Sequence, residues 1–417
     1  MTMHGCPACS RRDFVRITVG ASALAGLGLP AAAAVGGPAK ACILLWMRGA
    51  QSQIDTWDLK PGTESGGPFK EIETTAPGVR ICEHLPRTAR HMDKVGLVRT
   101  LHSRDPNHET AEYLLHTGYR QNTALQHPHV GSVLLQELGP GRTDLPGCIV
   151  LGGDTPAGSA YLPAERNPAV FDKLDNPGED LVASTDYFPK GTLDRRWRLL
   201  QAFEEDWART RQDARAEARR HAYARAMKTL SSADLKAFDL SKEPEPVRKA
   251  YGAHPFGRAV LLARRLVQAG VRFVEVQLGS WDSHSDNFGA HKTLMGALDG
   301  PYAALLEDLA RTGMLSETLV LLMGEFGRTP RINAGEGRDH WTRNWCACLA
   351  GGGIAGGRVV GRTDAQGMDI AERPVGVGDL FATVYRCFGV KTSKEYVSGG
   401  GRPIRILEEG SAVSELF

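Results

Sequence analysis

The sequence predicts an α/β fold: a mostly parallel central sheet flanked by helices. Three observations predict it. Short apolar runs alternate with glycine-terminated helical stretches, the pattern of consecutive βα units. The runs "ACILLWM", "GCIVLGG", "VRFVEVQL", "TLVLLM" and "WCACLAG" are nearly unbroken by polar residues, as strands covered on both faces are. The chain has 417 residues, 42% hydrophobic and 24% charged, which is ordinary for a globular protein with a sizeable core.

Residues 1–34 read as a twin-arginine signal peptide. Arg11 and Arg12 are followed by Phe14, then by an apolar stretch, Val19 to Leu29, and by alanines 31–34, which offer an A-x-A cleavage site. The apolar stretch is too short to span a bilayer comfortably. The mature chain, 35–417, is expected to be a single domain with no transmembrane helix. The twin-arginine translocase would deliver it to the periplasm or the cell exterior.

Ala41 to Met47 is the first buried strand and "QSQIDTWDLKPG" the loop after it. Leu85 to Val95 reads as a helix and Val95 to Arg99 as a strand. "HETAEYLLHTGY" is a helix stopped at Gly118, and His129 to Leu138 is another, followed by the strand in "GCIVLGG". An insertion occupies about 155–250. Its first part, 155–195, is Pro-, Gly- and Asp-rich and irregular; 194–230 is highly charged with helical spacing and reads as one or two solvated helices. From Pro255 the pattern is regular: a helix closed by Gly270, the strand "VRFVEVQL", a helix ended by Gly313, the strands "TLVLLM" and "WCACLAG", and a helix from Val377 to Phe388.

A net charge of +2 gives no basic field for nucleic acid, and no nucleic-acid-binding motif is present. Cys6 and Cys9 form a CxxC inside the signal. Of the other six cysteines, Cys42, Cys148, Cys346 and Cys348 lie in strand-like runs and read as buried thiols; export would permit disulfides, and any pairing is open.

Polar clusters follow the strands repeatedly, where ligands of parallel sheets sit. Asp55 follows the first strand. "GSWDSHSDNF" follows "VRFVEVQL" and places Asp282, His284 and Asp286 at alternating positions, on one side of an extended chain. Glu325 follows "TLVLLM", Asp339 and His340 precede "WCACLAG", and His108 opens a helix. Mixed Asp and His donors suit zinc or manganese, and carboxylate-rich sets suit magnesium, manganese or calcium. Each residue has a plainer role open to it. Asp55 is a ligand or a turn cap, Glu325 a ligand or a partner of Arg328, and His108 a ligand, a general base or a satisfied helix-start histidine. Asp286 reads rather as a cap, and His102, His116, His127 and His129 as structural or exposed.

The strings "SQIDTWDLKPG", "PNHETAEYLLHTGY", "WDSHSDNF", "GEFGRTP", "GRDHW" and "GGGIAGGRVVGRTD" together resemble the twin-arginine-exported domain-of-unknown-function family 1501, over nearly the whole chain. That family resembles a distant branch of the alkaline phosphatase and sulfatase superfamily. The resemblance implies an alkaline phosphatase-like three-layer sandwich, with Asp55, Asp282, His284, Glu325 and His340 as ligands of a divalent cation, to which the strand-end reading adds Asp339. It puts His108 where that superfamily carries its nucleophile, and Phe326 where it usually carries a metal-binding histidine. The implied activity is metal-dependent hydrolysis of a phosphate or sulfate ester, such as one on a cell-surface polysaccharide. A metal-bound hydroxide would be the nucleophile, His108 a ligand or base, and Arg328 the group stabilising an anionic substrate. The alternative is an exported binding protein that keeps the fold and a structural metal.

Overall fold

A computed structural model describes residues 39–174, 191–210 and 214–417; the expected signal peptide and its CxxC lie outside these. The apolar runs form strands as their composition requires. In chain order the sheet contains β1 (Ala41–Met47), β2 (Val95–His102), β3 (Cys148–Leu151), β4 (Ala169–Phe171), β5 (Phe273–Leu278), β6 (Thr318–Met323), β7 (Trp345–Ala350), β8 (Val359–Val360) and β9 (Val375–Gly376). The spatial order is β8-β2-β7-β6-β1-β5-β3-β4, with β9 also pairing β2. Every pairing is parallel except those of β7, which runs against both β2 and β6.

Among the described residues, the helices of seven or more residues are α1 (His108–Thr117), α2 (Val130–Leu138), α3 (Thr192–Thr210), α4 (Ala214–Leu230), α5 (Glu245–Tyr251), α6 (Pro255–Gln268), α7 (Asn287–Arg311) and α8 (Val377–Cys387). β1 shows why helices must cover both faces of the sheet. Ile43, Leu45 and Met47 enter one core with Phe256, Leu262 and Leu305 of α6 and α7. Cys42, Leu44 and Trp46 enter a second with Leu115, Leu134 and Leu380 of α1, α2 and α8. Each such side chain contributes about 1.5–3 kcal/mol by burial. The predicted class, a mostly parallel sheet between helical layers, is the one observed.

Two elements differ from the sequence reading. The helix expected over Leu85 to Val95 is only a four-residue turn, Pro86–Ala89, and a 3-10 turn, Met92–Lys94. Asp299 of α7 accepts from the amides of Arg87 and Thr88, at 3.0 and 2.7 Å, and caps that short turn. Within the insertion, Ala169–Phe171 joins the sheet beside β3; three residues are too few to show a period. The six cysteines are buried and unpaired. Among the described residues, no helix is long and apolar enough to cross a membrane.

This topology sets the site. The carboxyl ends of β1, β2, β5 and β6 open onto one rim of the sheet. Because β7 is reversed, the chain reaches that same rim just before it, at Asp339 and His340.

Candidate metal centre

Three histidines meet a carboxylate at this rim. Asn107 caps α1 by accepting from the Thr110 amide, so His108 occupies the first helical position, 31% exposed at its side chain. Asp282 and His284 follow β5, and His340 lies in a two-residue ladder with Arg328. Donor atoms of His108, Asp282 and His340 all lie within 4.8 Å of one another. His284 Nε2 is 3.1 Å from His340 Nε2 and 3.1 Å from Asp282 Oδ1.

The hydrogen bonds on the far side of each ring decide what the near side presents. His108 Nδ1 donates to Glu325 Oε1 at 2.6 Å, His284 Nδ1 to Asp339 Oδ1 at 2.7 Å, and His340 Nδ1 to the carbonyl of Pro106 at 2.7 Å. When its Nε2 is deprotonated, each ring turns a bare lone pair toward the others. His284 and His340 face each other Nε2 to Nε2, with the Asp282 carboxylate beside them. His108 Nε2 is buried without a hydrogen-bond partner. Such a set is repulsive until a positive charge enters it, and far-side acceptors of this kind are the usual support of metal-ligating imidazoles.

The titration shifts follow from these contacts. Burial lowers the basicity of His108, but the hydrogen bond and charge of Glu325, with Asp282, outweigh it and raise the pKa. His340 is lowered, first by burial and then by the charges of Arg328 and His108. Burial acts to raise the pKa of Asp282, and the charge and hydrogen bond of Arg328 overcome it, holding it low. The hydrogen bond from His284 holds Asp339 low.

Four of the expected site residues, Asp55, Glu325, Asp339 and Arg328, are engaged by protein partners in this structure, Asp339 through Oδ1 to His284. Asp55 is not turned to the centre: Arg338 grips it through Nε at 2.7 Å and Nη2 at 3.1 Å, and Asn287 donates to it at 2.9 Å. Arg328 is fully buried, with its guanidinium engaged by Asp282 Oδ1 (2.6 Å) and the carbonyls of Ala50, Gly49 and Arg338, so it positions Asp282. Glu325 is also fully buried: its Oε1 accepts from His108 and from the Gly49 amide at 2.8 Å, which orients the imidazole, and its Oε2 is buried without a hydrogen-bond partner. Asp286 caps α7, accepting from the Gly289 amide. Phe326 is buried with its ring 4.8 Å from His108 and 4.7 Å from His340, an apolar wall to the centre.

Close backbone approach locks the ligand loops together. A Cβ on Gly337 would fall 2.0 Å from the carbonyl oxygen of His284, and one on Gly49, whose φ is +99°, would fall 2.6 Å from the amide of Asp282. Arg338 was not among the expected residues. Its only sequence signal is its place beside Asp339 and His340, and an arginine there reads as solvated. A cleft of about 620 Å³ opens beside the centre, lined among others by Arg48, His108, Glu112, Tyr113, Asp154 and Asp282.

A family model described as "Protein of unknown function (DUF1501)" matches residues 39–417. The chain belongs to the DUF1501 family. No curated protein matches this DUF1501 chain. Solved structures to which it is similar include the lipoteichoic acid synthase LtaP from Listeria monocytogenes, at 9% identity and TM-score 0.41, covering 92% of this chain and 78% of that one. The phosphonate monoester hydrolase SpPMH from Silicibacter pomeroyi is similar at 11% and TM-score 0.38, covering 90% and 76%. A protein in the alkaline phosphatase superfamily from Vibrio parahaemolyticus is similar at 10% and TM-score 0.38, covering 85% and 67%.

Proposed function

We propose that this DUF1501 chain is an exported, metal-dependent hydrolase of phosphate or sulfate esters. One observation carries the reading: three imidazoles, each with its Nδ1 committed to a protein acceptor, converge through Nε2 on the Asp282 carboxylate. His108, Asp282, His284 and His340 would hold the cation. Three nitrogens and one carboxylate favour zinc or manganese over magnesium and calcium, which prefer all-oxygen shells. The bound ion would act as a Lewis acid and lower the pKa of a water toward neutral.

The chain's own groups do the rest. Glu325, Asp339 and the Pro106 carbonyl orient the rings, and Arg328 keeps Asp282 ionised. The cleft admits the ester, and Phe326 walls one side of the centre against water. No serine, threonine or cysteine stands at the His108 position, which argues for direct attack by water over a covalent enzyme intermediate. Export along the twin-arginine route and an ester carried on a polysaccharide belong to the same proposal.

The test is metal content of the folded chain, followed by aryl phosphate, phosphodiester and sulfate substrates with each of the four cations. About one ion per chain and cation-dependent turnover are expected, with both lost in Asp282→Ala and His340→Ala. Ion binding without turnover of any ester would leave an exported binding protein in place of the hydrolase. Absence of a bound ion would end both readings of the centre.

A further inference from the structure

A second polar cluster lies inside the protein on the same helix as His108, eight residues further along, and takes no part in the cleft. His116, His129 and Glu275 are 1%, 0% and 0% exposed. Glu275 sits mid-strand in β5, in register with Leu44 of β1 and Val150 of β3, so its charge is enclosed on both sides.

The hydrogen bonds fix the protons. His116 Nδ1 donates to the Glu112 carbonyl at 2.7 Å, leaving Nε2 against the Glu275 carboxylate at 3.3 Å. A neutral ring would set a lone pair against that carboxylate, so only the doubly protonated ring satisfies both contacts. His129 Nδ1 accepts from the Gly131 amide at 2.9 Å, so its proton is on Nε2, 3.5 Å from Glu275 Oε2. That proton also removes His129 from any metal-ligand set here. Gln277 donates to Glu275 at 2.8 Å.

Other ionisable groups around the cluster, among the described residues, are Glu112 on α1, Arg225 on α4 toward Cys148, and Cys42 on β1 and Cys148 on β3, whose thiols burial keeps neutral. The Trp46 ring meets His116 edge-on, with centroids 4.4 Å apart. His116 also lies in the last turn of α1, where the helix dipole favours a cation. Burial opposes the charge on His116, and the Glu275 carboxylate outweighs it and raises the pKa.

We propose that His116 is held as an imidazolium against Glu275 and that this buried pair fixes α1, which starts at His108, to β5, which leads to Asp282. The second half rests on reading the rim as a cation site; the first does not.

Nitrogen-15 NMR of histidine-labelled full chain, metal-free and zinc-loaded, tests the first half. Both ring nitrogens of His116 are expected to be protonated at pH 7, where an unperturbed histidine has mostly lost its proton. Glu275→Gln is expected to leave His116 with one bare ring nitrogen at that pH. A bare ring nitrogen in the wild type at pH 7, or an anomalous metal peak at His116, would overturn it. Zinc titration tests the second half. Glu275→Gln is expected to weaken zinc binding by roughly tenfold at unchanged helix content. Should that variant not fold, the double variant His116→Gln, Glu275→Gln takes its place, because it leaves no charge unpaired. Undiminished zinc affinity in a folded variant would overturn the positioning role. A wild type that takes up no zinc would instead sink the cation reading, and the NMR result would still decide the charge on His116.

Discussion

At the scale of single residues, the centre is defined by which nitrogen of each ring holds its proton. His108 and His340 stand edge to face with centroids 4.4 Å apart, yet their shifts run in opposite directions, because Glu325 lies behind one and a carbonyl behind the other. Cation binding therefore has a proton signature. At pH 6.5 the raised His108 is more than half charged and must give up a proton, whereas the lowered His340 is mostly neutral already. Zinc titration calorimetry in buffers of different ionisation heat is expected to show net proton release at pH 6.5, diminishing as pH rises through the folded pKa of His108. The release should be much reduced in His108→Gln, and equal heats in all buffers would contradict the ring assignment. The sequence exposed this part of the site well, because His108, Asp282, His284 and His340 each abut a strand end or helix start. It misjudged Asp55 for a physical reason: a carboxylate past a strand reads the same whether a cation or a guanidinium neutralises it.

At the scale of elements, the ligands are held by contacts between loops. Gly337→Ala drives a methyl against the His284 backbone, so the two segments must separate. The expected result is a chain that keeps its far-ultraviolet spectrum but binds zinc about tenfold or more weakly, since outer contacts of a metal site carry effects of that size. The buried pair behind α1 makes a separate prediction. A raised His116 contributes stability that is complete below its unfolded value, near pH 6.5, and is lost as pH rises through the folded pKa. A depressed Glu275 contributes stability that is present above the usual carboxylate range and is lost as pH falls through its folded pKa. Glu275→Gln should therefore destabilise the chain most between about pH 5 and 7, by about 3–5 kcal/mol, read from denaturant unfolding. A pH-independent loss would contradict the pair. The extents of α1, α2, α6 and α8 were legible from periodicity and, for α1 and α6, glycine stops, whereas α7 was legible only at its end. Glu275 was visible as the one charge inside "VRFVEVQL", but a sequence does not reveal which distant histidine faces it.

At the scale of the whole molecule, sheet, loops and centre are joined by one buried arginine. Arg338 binds Asp55 from the β1 loop, the carbonyl of Ser65 at 2.8 Å and that of Thr329 at 3.0 Å, while Asn287 at the start of α7 completes the knot. Arg338→Met leaves Asp55 buried without its countercharge and should cost about 3–5 kcal/mol in unfolding free energy. The double replacement of Arg338 and Asp55 by apolar residues should recover much of that, which a denaturant series would show. The order of strands was the least legible feature. Local apolar runs predict that strands exist, but the reversal of β7 depends on long-range pairing with β2 and β6.

The anchoring of three imidazoles by Glu325, Asp339 and the Pro106 carbonyl has a kinetic consequence. The rotational freedom that a flexible chelator surrenders on capture is here surrendered when the chain folds. On the proposed reading the protein would behave as a socket rather than a clasp: one ion could be swapped for another with the backbone still, and the speed of exchange would be governed by passage through the opening.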